Sequence, residues 1–235
     1  MSHPITALLL RTLDNHRGLG LPPLPLQQVS GELGLDGLAF LLAPGGRPGE
    51  LLQAFGEHTG PLEDLQLTQG QGPSPEAARS GTLILIPDLA ALDPTRWPGL
   101  PGPALQLGIG AVFAFPLRIG IIAIGVLTGH RTTPGPMTAG QLTSALILAD
   151  LLAQYLIHHA TDPGDANRLL DGTGLHFAEV HQATGMLAAQ LGIDCAQALA
   201  RLRGHAFRHD QRLLTLARQV LAHRLYLDAD DAKDS

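Results

Sequence analysis

The sequence predicts an α/β (α+β) domain with an antiparallel central sheet, followed by an all-α domain of three short helices. Short apolar runs that end at Gly, Pro or Asp recur in the first part of the chain, and apolar residues at helical spacing fill the last part. With 45% hydrophobic and 15% charged residues over 235 positions, the composition is that of a globular protein with enough chain for two modest domains.

Four strand-like runs lie in the first part of the chain. They are GLAFLLAP (37–44), GTLILIPD (81–88), GAVFAFPL (110–117) and GIIAIGVLTG (120–129). Only Arg118 and Ile119 separate the last two runs, so we expect a tight turn and a pair of neighbouring antiparallel strands.

From residue 138 the apolar period changes from that of a strand to that of a helix. In TAGQLTSALILADLLAQYLIHHA (138–160), Thr138 and Gln141 fit a capping box, and leucines and alanines recur at three- and four-residue steps. This stripe fits two uses, packing on the sheet of its own domain or forming the seam of a homodimer, and both can hold. Pro163 and three glycines then predict a connection at residues 161–174.

The end of the chain predicts three amphipathic helices. The first runs from about residue 175 to 191 and stops at Gly192. Asp194 and Gln197 fit a capping box at the start of the second, and Asp210 is expected to cap the third. Helices this short are marginal alone, so they must pack together or on a partner.

Charge is distributed unevenly along the chain, which carries -6 overall. Residues 1–165 carry -6, residues 166–227 carry +3, and the last eight residues carry -3. A basic segment therefore lies between an acidic body and an acidic tail. The predicted units are a first domain at 1–160, a connection at 161–174, a three-helix domain at 175–227 and an acidic tail at 228–235.

The basic segment concentrates arginines on the second and third predicted helices. Arg201, His205 and Arg208 fall at i, i+4 and i+7, so they share one face turned away from the leucine stripe. Arg203 lies beside that face, and Arg212 belongs to the third helix. A guanidinium group suits phosphate because its planar fork donates two hydrogen bonds and is always charged. The charge pattern alone also fits the solvated face of a helical bundle.

Signals for catalysis, metal binding and membrane insertion are weak. His176 and His181 are five residues apart, which suits neither one helical face nor a metal pair. Cys195 is the one cysteine, and we expect it on the apolar side of its helix as a buried thiol in a reducing compartment. We predict no catalytic residue, metal or cofactor. The longest apolar run has about nine residues, against roughly twenty for a bilayer span, so we expect a cytoplasmic protein.

The end of the chain resembles an ANTAR domain. VHQATGMLAAQLGI, followed by AQALARLRGHAFRHDQRLLTLARQVLAHRL, carries the family's Ala-x-Gly-x-Leu, Ala-x-x-x-Leu-Arg-x-x-Ala and Leu-x-x-x-Ala patterns on successive helices. The matching positions, interpreted as helix-packing residues, are Ala183, Gly185, Leu187, Ala198, Leu202, Ala206, Leu213 and Ala217. The resemblance implies a three-helix module that binds paired RNA hairpins in nascent transcripts and prevents termination.

The chain departs from the ANTAR pattern on the first of its three helices. Many members of the family carry basic residues where this chain has Thr184 and Gln190. Phosphate contacts would therefore shift to the second and third helices. The residues predicted to contact RNA are Arg201, Arg203, His205, Arg208 and Arg212.

The preceding segment, about residues 20–160, is similar to the GAF domains that often accompany ANTAR domains in actinobacterial regulators. The runs that carry this similarity are LEDLQLTQGQGPSPEAARSG (62–81), IPDL (86–89), TRWPGL (95–100) and GAVFAFPLRIGIIAIGVL (110–127). The similarity implies a sensory domain that often dimerises and takes a small-molecule ligand of unknown identity. Relatives often have Cys where this chain has Ser74, so a thiol-based response is not expected at that position.

These observations predict a homodimeric transcription antitermination regulator that binds RNA hairpins and is not an enzyme. One alternative is a ligand sensor or protein-interaction module whose helical end only dimerises, which the residues Thr184 and Gln190 favour. Another is a helix-turn-helix that binds duplex DNA. It is disfavoured because the join between the second and third helices lacks a turn that contains glycine.

Overall fold

The computed structural model describes residues 7–8, 11–12, 22–43, 49–159, 177–209 and 211–225. Several predicted features lie outside the described residues, namely the connection at 161–174, His176, the cap at Asp210 and the acidic tail at 228–235.

A five-stranded antiparallel sheet, in the order β2-β1-β5-β4-β3, is the frame of the first domain. This confirms the antiparallel sheet predicted from the sequence, although the sequence pattern missed β2. The strands are β1 (Gly37–Leu42), β2 (Leu51–Phe55), β3 (Ile84–Ile86), β4 (Ala111–Ile119) and β5 (Ile122–Arg131).

The predicted hairpin is formed by β4 and β5, but its turn lies two residues later than the apolar runs suggest. Ile119 pairs with Ile122, so the turn residues are Gly120 and Ile121. Gly120 has a φ of 58°, which glycine adopts without a steric clash. Arg118 and Ile119, expected in the turn, instead continue the pairing of β4.

Two helices cover one face of the sheet, which we call the first face. The helices of this domain are α1 (Leu26–Leu33), α2 (Thr59–Gln69), α3 (Pro73–Ser80), α4 (Pro101–Gln106) and α5 (Ala139–His159). α1 and α5 pack on the first face, where Phe113 and Phe115 contribute to one core with Leu33 and Leu152. The predicted capping box is present, since the Thr138 amide donates to Oε1 of Gln141 at 2.9 Å and the Gln141 amide donates to Oγ1 of Thr138 at 3.3 Å.

α5 is the one described helix that is long and apolar enough, by length and composition, to cross a membrane. The search for the longest uninterrupted apolar run did not identify this helix, because Asp150 interrupts its apolar residues. One side of the helix, including Leu148, Leu152 and Leu156, is buried in the core on the sheet. Such burial is expected of a helix that packs in the core of a protein.

The opposite face of the sheet is divided between two sets of helices. Leu62 and Trp97 pack there with Val126 of β5. The region over β1 and β2 is covered by the three C-terminal helices, whose core includes Ala39 and Leu41. These helices are α6 (Ala178–Leu191), α7 (Cys195–Arg208) and α8 (Leu213–Leu221), and we call them the C-terminal module. The module therefore packs on the sheet of the first domain and shares a core with it.

Two predicted ends of the module helices are present in the structure. Gly192 ends α6 with a φ of 62°, and Oδ1 of Asp194 accepts a hydrogen bond of 2.8 Å from the Gln197 amide at the start of α7. α8, however, is preceded by Arg212 at its N-cap, without a side-chain cap. Cys195 is exposed, contrary to the expected buried thiol, because it is the first residue of α7 and lies one turn before the buried stripe begins at Ala198.

Candidate nucleic-acid interface and sensing pocket

A row of basic side chains runs along the side of α7 away from the core. Ala198, Leu202 and Ala206 are fully buried, which fixes the orientation of the helix. Arg208 is therefore exposed, and Arg201 and His205 are partly exposed beside it. Arg212 is exposed just beyond the turn that follows α7. The structure thus brings Arg201, His205 and Arg208 onto one accessible side, where phosphate groups can approach them.

Arg203 lies elsewhere, at the contact between the C-terminal module and the first domain. Its Nε donates a hydrogen bond of 2.8 Å to the carbonyl oxygen of Leu67, near the end of α2. Burial, and then the nearby charge of Arg79, lower the pKa of Arg203. In this arrangement Arg203 holds the two domains together and is only partly accessible to RNA.

The first helix of the module offers little positive charge to a nucleic acid. Thr184 is buried and its hydroxyl donates to the carbonyl oxygen of Val180 at 2.7 Å. Gln190 is exposed but neutral. Arg218 of α8 forms an ion pair with Glu179 of α6, with 2.7 Å between Nε and Oε2.

Phe207 is an exposed aromatic residue beside the basic row. Its side chain is 66% exposed, directly before Arg208 in the chain. An aromatic ring in this position offers a flat surface on which an unpaired base can stack. The sequence alone gives Phe207 no role in binding, because aromatic residues are scarce near the arginines.

The packing positions of the family pattern are buried with one exception. Ala183, Leu187, Ala198, Leu202, Ala206, Leu213 and Ala217 all belong to the shared core of module and sheet. Gly185 is exposed, and a Cβ added there would meet nothing within 4 Å. The expected packing role therefore does not hold for Gly185 within this chain, because the residue lies on the outer side of α6.

A buried polar cluster lies between the sheet and helices α2 and α3. Oγ of Ser74 donates to Oε1 of Glu63 at 3.1 Å and is 2.7 Å from Oγ1 of Thr128. Gln66 holds Ser74 from the other side, since its Oε1 accepts from the Ser74 amide at 2.8 Å and its Nε2 donates to the Ser74 hydroxyl at 2.9 Å. The hydrogen bonds among these four side chains connect α2, α3 and β5.

Burial dominates the ionisation of two groups in this region. It raises the pKa of Glu63 to about 8 against the lowering effect of hydrogen bonds from Ser74 and Thr128, so the carboxyl is protonated at neutral pH. It lowers the pKa of His130 to about 4, so this imidazole is neutral. Nε2 of His130 lies 3.0 Å from Oγ1 of Thr59, at the start of α2.

A small cavity adjoins the polar cluster, and the C-terminal module closes one side of it. The cavity has a volume of about 20 Å³, which is room for about one water molecule. Phe177, the residue before α6, forms part of the wall and is 1% exposed. Its amide donates a hydrogen bond to the buried carboxylate of Glu50, and Nε2 of His181 lies 3.6 Å from the same carboxylate. The residues that line the cavity are Leu41, Leu42, Ala43, Gly49, Glu63, Gln66, Leu67, Ser74, Pro75, Ala78, Val126 and Phe177.

The sequence did not single out Glu63, Gln66 or Phe177. Glu63 stands beside Asp64 in a helix rich in polar residues, and only the packing of α2 distinguishes the buried carboxyl from its neighbour. No group of three or more His, Cys, Asp or Glu side chains in the described part of the chain is placed to hold a metal ion.

Comparisons with known proteins found a family match at the end of the chain and structures similar to the chain. Residues 176–221 match the ANTAR domain. The crystal structure of the GAF domain from an Acinetobacter phosphoenolpyruvate-protein phosphotransferase is similar with a TM-score of 0.51 and 15% identity, covering 68% of this chain and 97% of that one. The corresponding GAF domain from Coxiella burnetii has a TM-score of 0.47 and 13% identity, covering 67% of this chain and 93% of that one. No curated protein sequence matches this chain.

The antiparallel sheet with helices on both faces has the GAF fold, and the three helices that pack against its β1 and β2 end coincide with the matched segment. The chain therefore combines a domain of the GAF fold with a C-terminal ANTAR domain at residues 176–221.

Proposed function

We propose that this protein is an RNA-binding regulator of transcription antitermination. Its ANTAR domain binds paired RNA hairpins in nascent transcripts, and its GAF domain senses a small molecule. The observation that carries the proposal is the row of Arg201, His205 and Arg208 on the accessible side of α7, within the segment that matches the ANTAR domain. Arg212 extends the positive surface beyond the turn.

The proposed mechanism requires no chemistry by the protein. A bound regulator holds the RNA in the conformation that contains the paired hairpins and so disfavours the competing terminator hairpin by mass action. Arginine side chains neutralise phosphates, while hairpin shape and unpaired loop bases supply specificity. Such a regulator acts in the cytoplasm, where the transcript is made.

A homodimer fits this function because it presents two RNA-binding modules to two hairpins. α5 offers a surface for the second copy, since Leu146 and Ile157 on its outer side are 46% and 37% exposed. Between them lie Asp150 and Gln154, which are hydrogen-bonded to each other at 2.7 Å. This mixed apolar and polar strip is continuous along the outside of the helix.

Substitution of the basic row tests the proposal. Arg201→Ala and Arg208→Ala should each weaken binding of the full chain to a two-hairpin RNA and reduce the slope of log K against log salt concentration by about 0.7 to 1. Arg118→Ala is the matched control, because Arg118 is an exposed arginine on the β4–β5 hairpin of the GAF domain. Equal losses for all three variants would mean that the basic row of α7 has no special role.

One observation favours a second function, that of an interaction module whose helical end only dimerises. Thr184 is buried and Gln190 is neutral, so α6 supplies none of the basic contacts seen in many relatives. Under this alternative the purified chain is a folded dimer with no preference for hairpin RNA. Dimer mass by sedimentation, combined with hairpin titration, separates the two functions.

A further inference from the structure

The cavity beside Glu63 has the composition of a site for a small amphipathic molecule. Most of its wall is apolar, from β1, β5, α3 and Phe177, and its polar atoms come from Glu63, Gln66 and Ser74 on one side. Among the described residues that line it, Glu63 is the one group that can carry charge. A ligand that fits this wall has an apolar body and a single polar head.

The carboxyl of Glu63 selects the chemistry of that head. It is 2% exposed and is held protonated by burial, and no described cationic side chain lines the cavity beside it. An arriving ammonium group would replace the carboxyl proton, which leaves to solvent, and would gain a charge-assisted hydrogen bond to the resulting carboxylate in a medium of low dielectric constant, where such bonds are strong. A metal ion does not suit the site, because it requires several carboxylate or carbonyl ligands and the described residues offer no such cluster.

Phe177 occupies the space that the apolar body of a ligand would need. The cavity as it stands holds about one water molecule, and the Phe177 ring, fully buried, fills the side nearest the ANTAR domain. The ring therefore acts as a plug that belongs to the chain itself.

We propose that this cavity binds a small organic cation, an aromatic or aliphatic amine, whose ammonium group pairs with Glu63 and whose apolar body replaces the Phe177 ring. The inference rests on the proposed sensing role of the GAF domain and names the class of its signal. Binding then displaces Phe177, the residue that leads into α6, and breaks its hydrogen bond to Glu50. The signal is transmitted to the ANTAR domain by the loss of this contact directly before α6.

Two matched probes test the charge requirement. Benzylamine and benzyl alcohol have nearly the same shape, but only the amine is cationic at pH 7. In calorimetric titrations of the full chain, benzylamine should bind about tenfold or more tightly than benzyl alcohol. Glu63→Gln keeps the size of the side chain but removes its charge, so the variant should bind the amine and the alcohol with similar affinity.

Removal of the plug tests the position of the ligand. Phe177→Ala should bind benzylamine about tenfold or more tightly than the natural chain, because the ligand no longer displaces a packed ring. Phe177→Leu, a smaller change, should give an intermediate gain and serves if the alanine variant does not fold. Equal binding of amine and alcohol, or an amine affinity unchanged by Glu63→Gln, would overturn the proposal.

Titration of the same preparations with hairpin RNA separates this inference from the proposed function. Amine selectivity that depends on Glu63, without hairpin binding, would support the cation site and contradict the RNA-binding role. Hairpin binding without amine selectivity would overturn the cation site and leave the RNA-binding role in place.

Discussion

Nε of Arg203 in the ANTAR domain donates a hydrogen bond of 2.8 Å to the carbonyl oxygen of Leu67 at the end of α2. Close by, the Leu213 amide donates to Oγ1 of Thr68 at 3.3 Å. α2 also carries Glu63 at the cavity, so one helix touches both the proposed sensing pocket and the docked module. Nη2 of Arg203 and Oε1 of Gln211 are buried without a hydrogen-bond partner among the described residues, which makes the docked arrangement less stable than a fully satisfied one.

Replacement of Arg203 tests whether it holds the two domains together. Arg203→Ala should lower the free energy of unfolding by about 1–3 kcal/mol, because it removes a hydrogen bond from a charged group and exposes the apolar surface under the side chain. Urea denaturation at pH 7 measures the change.

The control for Arg203 is another arginine on the same helix. Arg201 is half-buried on the side of α7 that carries His205, so Arg201→Ala should change stability less than Arg203→Ala, by about 0.5 kcal/mol. If the two variants lose equal stability, the contact between Arg203 and Leu67 does not hold the module in place.

The stability of the protein should fall as the pH rises from 6.5 to 8. The folded state keeps the proton of Glu63 up to a pKa of about 8, whereas the unfolded chain loses it near the ordinary value of 4.5. Since the folded state then binds more protons, the free energy of unfolding decreases by about 1 kcal/mol per pH unit. His130 opposes this slope near pH 6.5, because burial lowers its pKa to about 4 while the imidazole of the unfolded chain is half protonated at pH 6.5, and its effect fades as the pH rises further.

Glu63→Gln provides the comparison for this pH dependence. The variant should lose the fall in stability between pH 6.5 and 8 and keep only the small rise that His130 causes near pH 6.5, as measured by urea denaturation at several pH values. Parallel curves for the variant and the natural chain would show that Glu63 is already ionised in the folded state.

Phe207 should contribute to RNA binding by stacking. Its ring is exposed, so Phe207→Ala should leave stability unchanged within about 0.5 kcal/mol. It should weaken hairpin binding by about 1–3 kcal/mol, the value of stacking one base. Leu105→Ala, at an exposed apolar residue of α4, is the control and should leave RNA affinity unchanged. Undiminished hairpin binding by Phe207→Ala would remove stacking at this position from the account.

Two glycines should respond to alanine in opposite directions. Gly72 has a φ of 130°, and a Cβ there would lie 2.6 Å from Oε1 of Gln66, so Gly72→Ala should destabilise the protein by about 1–3 kcal/mol. Gly185 lies in α6 with open space around it, so Gly185→Ala should raise stability by about 0.5–1 kcal/mol. Thermal unfolding compares them, and a destabilised Gly185→Ala would show that this glycine packs against something absent from the single chain.

Features set by neighbouring residues were predictable from the sequence. The capping boxes at Thr138 and Asp194 depend on two residues three positions apart, and both are present. The β4–β5 hairpin follows from two apolar runs close together in the chain. β2 was missed because its five residues, LLQAF, contain no β-branched residue and no clear alternation.

Features set by distant packing were not predictable. β1 is buried on both faces, and its continuous apolar run GLAFLL shows that something covers each face without showing what. The structure places the ANTAR domain there, so Arg203 lies at a domain contact although its sequence position resembles that of the other arginines. Glu63 likewise differs from Asp64 only through the orientation of α2.

The central claim is best tested by titrating the purified full chain with a two-hairpin RNA, a scrambled RNA and duplex DNA over a series of salt concentrations. The account predicts selective binding to the two-hairpin RNA that weakens steadily as salt increases, because several phosphates are neutralised. Equal affinity for all three nucleic acids, or no binding by a folded dimer, would contradict it.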